Sequence, residues 1–191
     1  MKRIVLLASG SGSNVENIVQ YFQGNPKINI AAVMANKRDA MVLDRCQRLK
    51  IPALYFNRYA LYDSDVVTTT IKALAPDLIV LAGFLWIIPA ALVKAFPDRI
   101  INIHPALLPK YGGKGMYGMK VHSAVVESGD KESGITIHYV NEHYDEGAII
   151  RQVHTAIDPG ETAEEVANKV HALEYIHYPR VIEELLERAD G

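Results

Sequence analysis

Two polar side chains stand two residues apart at the end of an apolar run, Ile100-Ile101-Asn102-Ile103-His104-Pro105. Residues i and i+2 of a strand share a face. The proline ends the strand and biases His104 to an extended backbone. An asparagine amide can donate to a developing oxyanion; a protonated histidine does so more strongly, or delivers a proton. Further along, Tyr144-Asp145-Glu146-Gly147 falls between two predicted strands. An aspartate there can pair with His104, raising its pKa and fixing its ring. Plainer readings exist for both: a strand-end histidine bonded to a loop carbonyl, and an Asx turn of the kind that Asp-x-Gly favours. His138 and His143 lie near Asp145, but their spacing matches no zinc pattern, so no metal is expected.

A second feature precedes these. Ser9-Gly10-Ser11-Gly12-Ser13-Asn14 connects an apolar run to an amphipathic one. Glycines let the backbone approach a ligand closely, and the free amides at the start of a helix favour an anion. No Gly-Lys-Ser/Thr follows, so it is not a Walker loop; the third glycine of a dinucleotide fingerprint is replaced by Val15. A monophosphate site is the expectation, against the alternative of a tight turn capped by Ser13.

The elements that must position these residues alternate. A strand over 4–8 leads through the glycine loop to a helix starting near Ser13, where Ser13 and Glu16 fit a capping box and Val15, Ile18, Val19 and Phe22 recur at helical spacing. A strand over 28–34, a helix over 40–49, a short strand over 53–56 and one helix to about Leu74 follow. The apolar run 78–82 reads as a buried parallel strand. A short helix follows Pro89, and a strand spans 99–103. This rhythm predicts a Rossmann-like, three-layer α/β/α fold with a mostly parallel sheet, whose ligands sit beyond the carboxyl ends of the strands. Residues 105–119 read as a long loop, rich in glycine at Gly112, Gly113, Gly115 and Gly118. A short helix over 121–127 and strands over 135–140 and 148–155 form an antiparallel carboxyl-terminal portion. Thr162 and Glu165 make a second capping box for a long helix that Pro179 is expected to break or kink.

The chain has 191 residues and a formal charge of -2, which gives it no basic field for nucleic acid. One cysteine, Cys46, excludes an internal disulfide and a thiolate metal cluster. The apolar run after Lys2-Arg3 is too short for a signal peptide, and no stretch is long enough to span a bilayer. With no repeat or linker, residues 1–191 read as one cytoplasmic domain, a monomer or homodimer.

The segment Asn102-Ile103-His104-Pro105-Ala106-Leu107-Leu108-Pro109 resembles the hallmark of folate-dependent formyltransferases. Residues 134–147 resemble that family's active-site signature, with Thr136, Asp145 and Gly147 in their expected places. Gly12-Ser13-Asn14 narrows the resemblance to the branch that formylates glycinamide ribonucleotide in purine synthesis. The likeness covers essentially the whole chain. It implies 10-formyltetrahydrofolate as the donor co-substrate and Asn102, His104 and Asp145 as catalytic residues. It implies an acceptor site at Gly12, Ser13, Asn14, Val15, Glu16 and Glu174. It also implies a folate site at Leu85, Trp86, Ile87, Ile88 and Asn102, lined largely by main chain, with Arg58 beside it. Trp86 departs from the arginine of a familiar version, and residues 114–119 replace a threonine-histidine sequence.

Three rivals are weighed. Methionyl-tRNA formyltransferases share the His-Pro segment but carry an additional carboxyl-terminal RNA-binding domain, which is not expected here. Formyltetrahydrofolate deformylases usually have an extra amino-terminal domain, whereas the first strand here starts at Ile4. A non-enzymatic phosphoribosyl-binding module would explain the glycine loop but leave Asn102, His104 and Asp145 as coincidences.

Overall fold

The computed structural model describes residues 1–188. Seven strands form one sheet in the order β3-β2-β1-β4-β5-β6-β7. They are β1 (Lys2–Ala8), β2 (Ile28–Ala35), β3 (Ala53–Tyr55), β4 (Leu78–Leu81), β5 (Ile100–His104), β6 (Glu132–Tyr139) and β7 (Ile149–Ala156). The first five pair in parallel, while β5–β6 and β6–β7 are antiparallel. The helices are α1 (Ser13–Phe22), α2 (Met41–Leu49), α3 (Arg58–Tyr62), α4 (Val66–Leu74), α5 (Ala90–Ala95), α6 (Met119–Glu127) and α7 (Ala163–Arg188).

Successive strand residues point to opposite faces, so β1 feeds two cores. Ile4, Leu6 and Ala8 pack with α1, α2 and α7; Val5 and Leu7 pack with α3, α4 and α5. This explains why β1 and β4 read as unbroken apolar runs rather than alternating ones. Tyr178 of α7 is fully buried, and its hydroxyl donates to the Leu81 carbonyl at 2.9 Å. That bond ties the last helix to the carboxyl end of β4, where the site lies. Among the described residues no helix is long and apolar enough to cross a membrane.

Three local expectations are corrected. The single helix leading to Leu74 is two, α3 and α4, separated at 63–65. Asp63, Ser64 and Asp65 compete with the helical backbone there, and the Ser64 hydroxyl bonds back to the Ala60 carbonyl. The capping box of Ser13 and Glu16 does not form: Gly12 occupies the cap in a left-handed conformation, and Glu16 instead pairs with Arg45 and Arg48 of α2. Two guanidinium partners outweigh one amide. Finally, α7 runs unbroken through Pro179. A helical proline frees the carbonyl four residues back; here that carbonyl, on Tyr175, accepts the Asn17 side-chain amide at 2.9 Å. The capping box at Thr162 and Glu165 forms reciprocally, at 2.8 and 3.3 Å.

Candidate active site

Strand order reverses around β1, which has β2 on one side and β4 on the other. A cavity of about 590 Å³ opens there. Its walls come from the glycine loop after β1, the carboxyl ends of β4 and β5, the 113–118 loop, Asp145 and α7.

The glycine loop is held from below. Gly12 has φ +76°, and a Cβ there would collide with Val42. The Val42 amide in turn donates to the Gly10 carbonyl at 3.2 Å. Gly12, Ser13 and Asn14 line the cavity. Val15 does not; its side chain is in the core. The Glu16 carboxylate is also turned away, and Arg48 first, then Arg45, holds it below the usual range. Its helical amide is already bonded to the Gly12 carbonyl. Glu174, only 6% exposed, reaches the cavity from α7 and accepts the Asn14 side-chain amide at 3.0 Å. Burial pushes its carboxyl up to about 7, with the Asn14 hydrogen bond pulling the other way.

Asn102, His104 and Asp145 come together on the facing wall. His104 is 4% exposed. Its Nε2 lies 2.8 Å from the Tyr111 carbonyl and its Nδ1 3.5 Å from Asp145 Oδ2. A carbonyl can only accept, so Nε2 carries the proton. The expectation that Asp145 raises the His104 pKa is only partly met: burial lowers it, Asp145 and Tyr111 pull it back, and the net shift is downward. Asp145 itself has φ +56° and accepts the Gly113 amide at 2.9 Å. Burial pushes its carboxyl up, but its polar neighbours, His104 and the Gly113 amide among them, hold it below the usual range. Asn102 Nδ2 is 3.2 Å from His138 Nε2, while His138 Nδ1 faces the Tyr139 carbonyl at 2.8 Å. The bond to Tyr139 places the His138 proton on Nδ1. Nε2 therefore accepts from Asn102, and the second Asn102 amide hydrogen is left over.

Thr136 braces the loop behind His104, donating to the Ala106 carbonyl at 2.7 Å and accepting the Leu108 amide at 2.9 Å. Gly147 lies so close to the Tyr139 carbonyl that any side chain would collide with it.

The expected folate residues are more dispersed. Leu85 lines the cavity, with its amide on Ser9 Oγ at 2.9 Å. Ile87 offers its carbonyl to the Tyr62 hydroxyl at 2.9 Å, and Ile88 is buried in the second core. Trp86 packs edge-on to Phe56 and Phe84. The Arg58 guanidinium lies 4.8 Å from the Tyr62 ring and 5.7 Å from that of Trp86. Trp86, Ile87, Ile88 and Arg58 thus flank the cavity rather than line it.

Sequence reasoning missed four contributors. The Tyr111 carbonyl and Gly113 amide carry no side-chain signal. His122 and His171 also line the cavity; helical periodicity marks His122 only as one more buried position of α6. Among the described residues no group of three or more His, Cys, Asp or Glu side chains is placed to hold a metal ion.

A glycine loop after the first strand, facing Asn102, His104 and Asp145 across one cavity at the carboxyl ends of the strands, is the arrangement of a Rossmann-like enzyme. The chain belongs to the formyl transferase family, whose pattern its residues 2–182 match. It is 39% identical over 201 residues to the chloroplastic phosphoribosylglycinamide formyltransferase of Arabidopsis thaliana, covering all of this chain and 69% of that one. It is 39% identical over 187 residues to the phosphoribosylglycinamide formyltransferase of Haemophilus influenzae, covering 95% and 86%. The solved structure of that enzyme from Bacillus halodurans superimposes with a TM-score of 0.86 at 33% identity, over 98% of this chain and 97% of the other.

Proposed function

We propose that the chain transfers the formyl group of 10-formyltetrahydrofolate to the amine of glycinamide ribonucleotide. The observation that carries this reading is the single cavity joining the Gly12-Ser13-Asn14 loop to the Asn102, His104 and Asp145 cluster. The loop and Glu174 hold phosphate and ribose, so that the acceptor amine is presented to the formyl carbon and the attack becomes effectively unimolecular. The Leu85 side of the cavity takes the folate.

The amine nitrogen bonds to the formyl carbon while the carbonyl π pair moves onto oxygen. The free amide hydrogen of Asn102 stabilises that oxyanion. His104, neutral beforehand because it is buried, accepts the proton leaving the amine. It becomes an imidazolium between two acceptors, the Tyr111 carbonyl and Asp145. Its charge then also favours the oxyanion. Collapse breaks the bond from carbon to the folate nitrogen, and that nitrogen takes up the proton relayed by His104 and Asp145.

The test is a spectrophotometric assay with a 10-formylfolate donor, run with and without glycinamide ribonucleotide. Release of deformylated folate only with the acceptor present is the expected result. Release without it would reassign the chain as a deformylase. No release from folded protein would overturn the reading.

A further inference from the structure

His122 and His171 belong to none of these roles. His122, on α6, is 1% exposed, and its Nδ1 is buried without a hydrogen-bond partner. An orphaned buried polar group costs about 1–3 kcal/mol and calls for an explanation. Its ring meets that of His171, on α7, with centroids 6.1 Å apart at 87°. Both line the cavity. His171 lies three residues before Glu174, so the two share one face of α7 about one turn apart. Glu174 in turn holds Asn14 in the first turn of α1. The paired rings and the first turn of α1 therefore line the same cavity, and the Asn14 Oδ1 there is also buried without a partner.

We propose that His122 and His171 form a paired-imidazole wall of the phosphate subsite, which takes up a proton when an oxyanion seats against the first turn of α1. The identity of the acceptor rests on the function proposed above; the affinity for a phosphate does not.

Without an anion both rings stay neutral. Burial, then His171 and His104, holds His122 down at about 4, and partial burial lowers His171. The charged and titratable groups facing the pair are Glu174 on α7, His104 on β5, Asp145 beyond β6 and Lys114 in the covering loop. On α6 itself, Lys120 lies over the Tyr117 ring at 5.0 Å. On α1, Glu16 is consumed by Arg45 and Arg48. Of these, Asp145 is held by His104 and the Gly113 amide, Glu174 has only the neutral Asn14 amide, and a phosphate dianion adds a larger charge than any one of them. A charge-assisted N–H···O bond to it then favours the imidazolium. The group gains its charge only when the ligand is present, and it discriminates against an acceptor lacking phosphate.

The test is calorimetric titration of the whole protein with inorganic phosphate and with glycinamide ribonucleotide. It is run at pH 7.5, where a phosphomonoester with a second pKa of about 6 is nearly all dianion, in buffers of different protonation heat. The expected result is net proton uptake with both ligands. His171→Gln should lose most of that uptake and about tenfold in affinity, with the kinetic loss mainly in KM. A dephosphorylated acceptor should bind both proteins alike. His171 is exposed, so His171→Gln tests the site even if His122→Asn fails to fold. Binding without proton uptake, unchanged affinity in His171→Gln, or no binding of either ligand to folded protein would each overturn the proposal. Formyl transfer without uptake would overturn this inference and leave the function standing. Phosphate binding with uptake but no transfer would do the reverse.

Discussion

Replacing Glu174 by glutamine should flatten part of the protein's pH-dependent stability. The carboxyl is 6% exposed and is raised from 4.5 to about 7, chiefly by burial. The folded state thus holds this proton to higher pH than the unfolded chain does. The stability it contributes is fully present below 4.5 and is lost as pH rises through 7. The gap between those values corresponds to ~3 kcal/mol, at 1.36 kcal/mol per tenfold change. Glutamine is neutral at every pH, has the same length and still accepts the Asn14 amide. The variant should match the wild type at pH 4.5–5 and exceed it by up to ~3 kcal/mol at pH 8.5, or about 6–12 °C in Tm for a domain of this size. Denaturant unfolding of both proteins at the two pH values measures the difference. The imidazoles and other carboxyls titrate alike in both and cancel. An equal gap at both pH values would refute the idea that Glu174 carries a buried, half-titrated proton at neutrality.

Two further substitutions probe the catalytic wall and its anchor. Asp145→Asn removes a charge 3.5 Å from His104 Nδ1, a Coulombic loss of about 5 kcal/mol at an effective dielectric near 20. Solvent and relaxation reduce it, and kcat should fall ~10²–10³-fold in a folded protein; turnover within threefold of wild type would count against the proton relay. Tyr178→Phe takes a donor from the Leu81 and Ile101 carbonyls, at a cost of ~1–3 kcal/mol, which calorimetry should report as a lower Tm; an unchanged Tm would mean that the hydroxyl contributes nothing to anchoring α7.

Much of this was legible because the relevant signals are local. The buried strands at 4–8 and 78–82 announce themselves through apolar continuity, Asn102 and His104 share a strand end, and the resemblance of residues 102–109 and 134–147 to folate-dependent formyltransferases joins Asp145, in a loop, to them. What was not legible depends on partners distant in sequence. Glu16 satisfies every local rule for a capping box until Arg45 and Arg48 arrive from α2. Pro179 reads as a break or kink because nothing near it in sequence shows that Asn17 will take the freed carbonyl. The direction of the His104 shift turns on burial, which pairing logic alone does not supply. Val15 falls within the stretch expected to bind the acceptor, yet its side chain faces the core, because a helix turns each successive side chain by about 100°.

The last helix has a consequence for biosynthesis. The sheet strands through β5 are complete once residue 104 has been made, and the glycine loop long before that. But Glu174, which bonds Asn14, and Tyr178, which ties α7 to the end of β4, are added only after about 70 further residues. Chains are made from the amino terminus at roughly 5–20 residues per second. A growing chain therefore spends several seconds with the apolar faces that α7 will cover still open, and without the carboxyl that holds Asn14. A ribosome stalled short of α7 would release a product with the first core uncovered and Asn14 without its Glu174 partner.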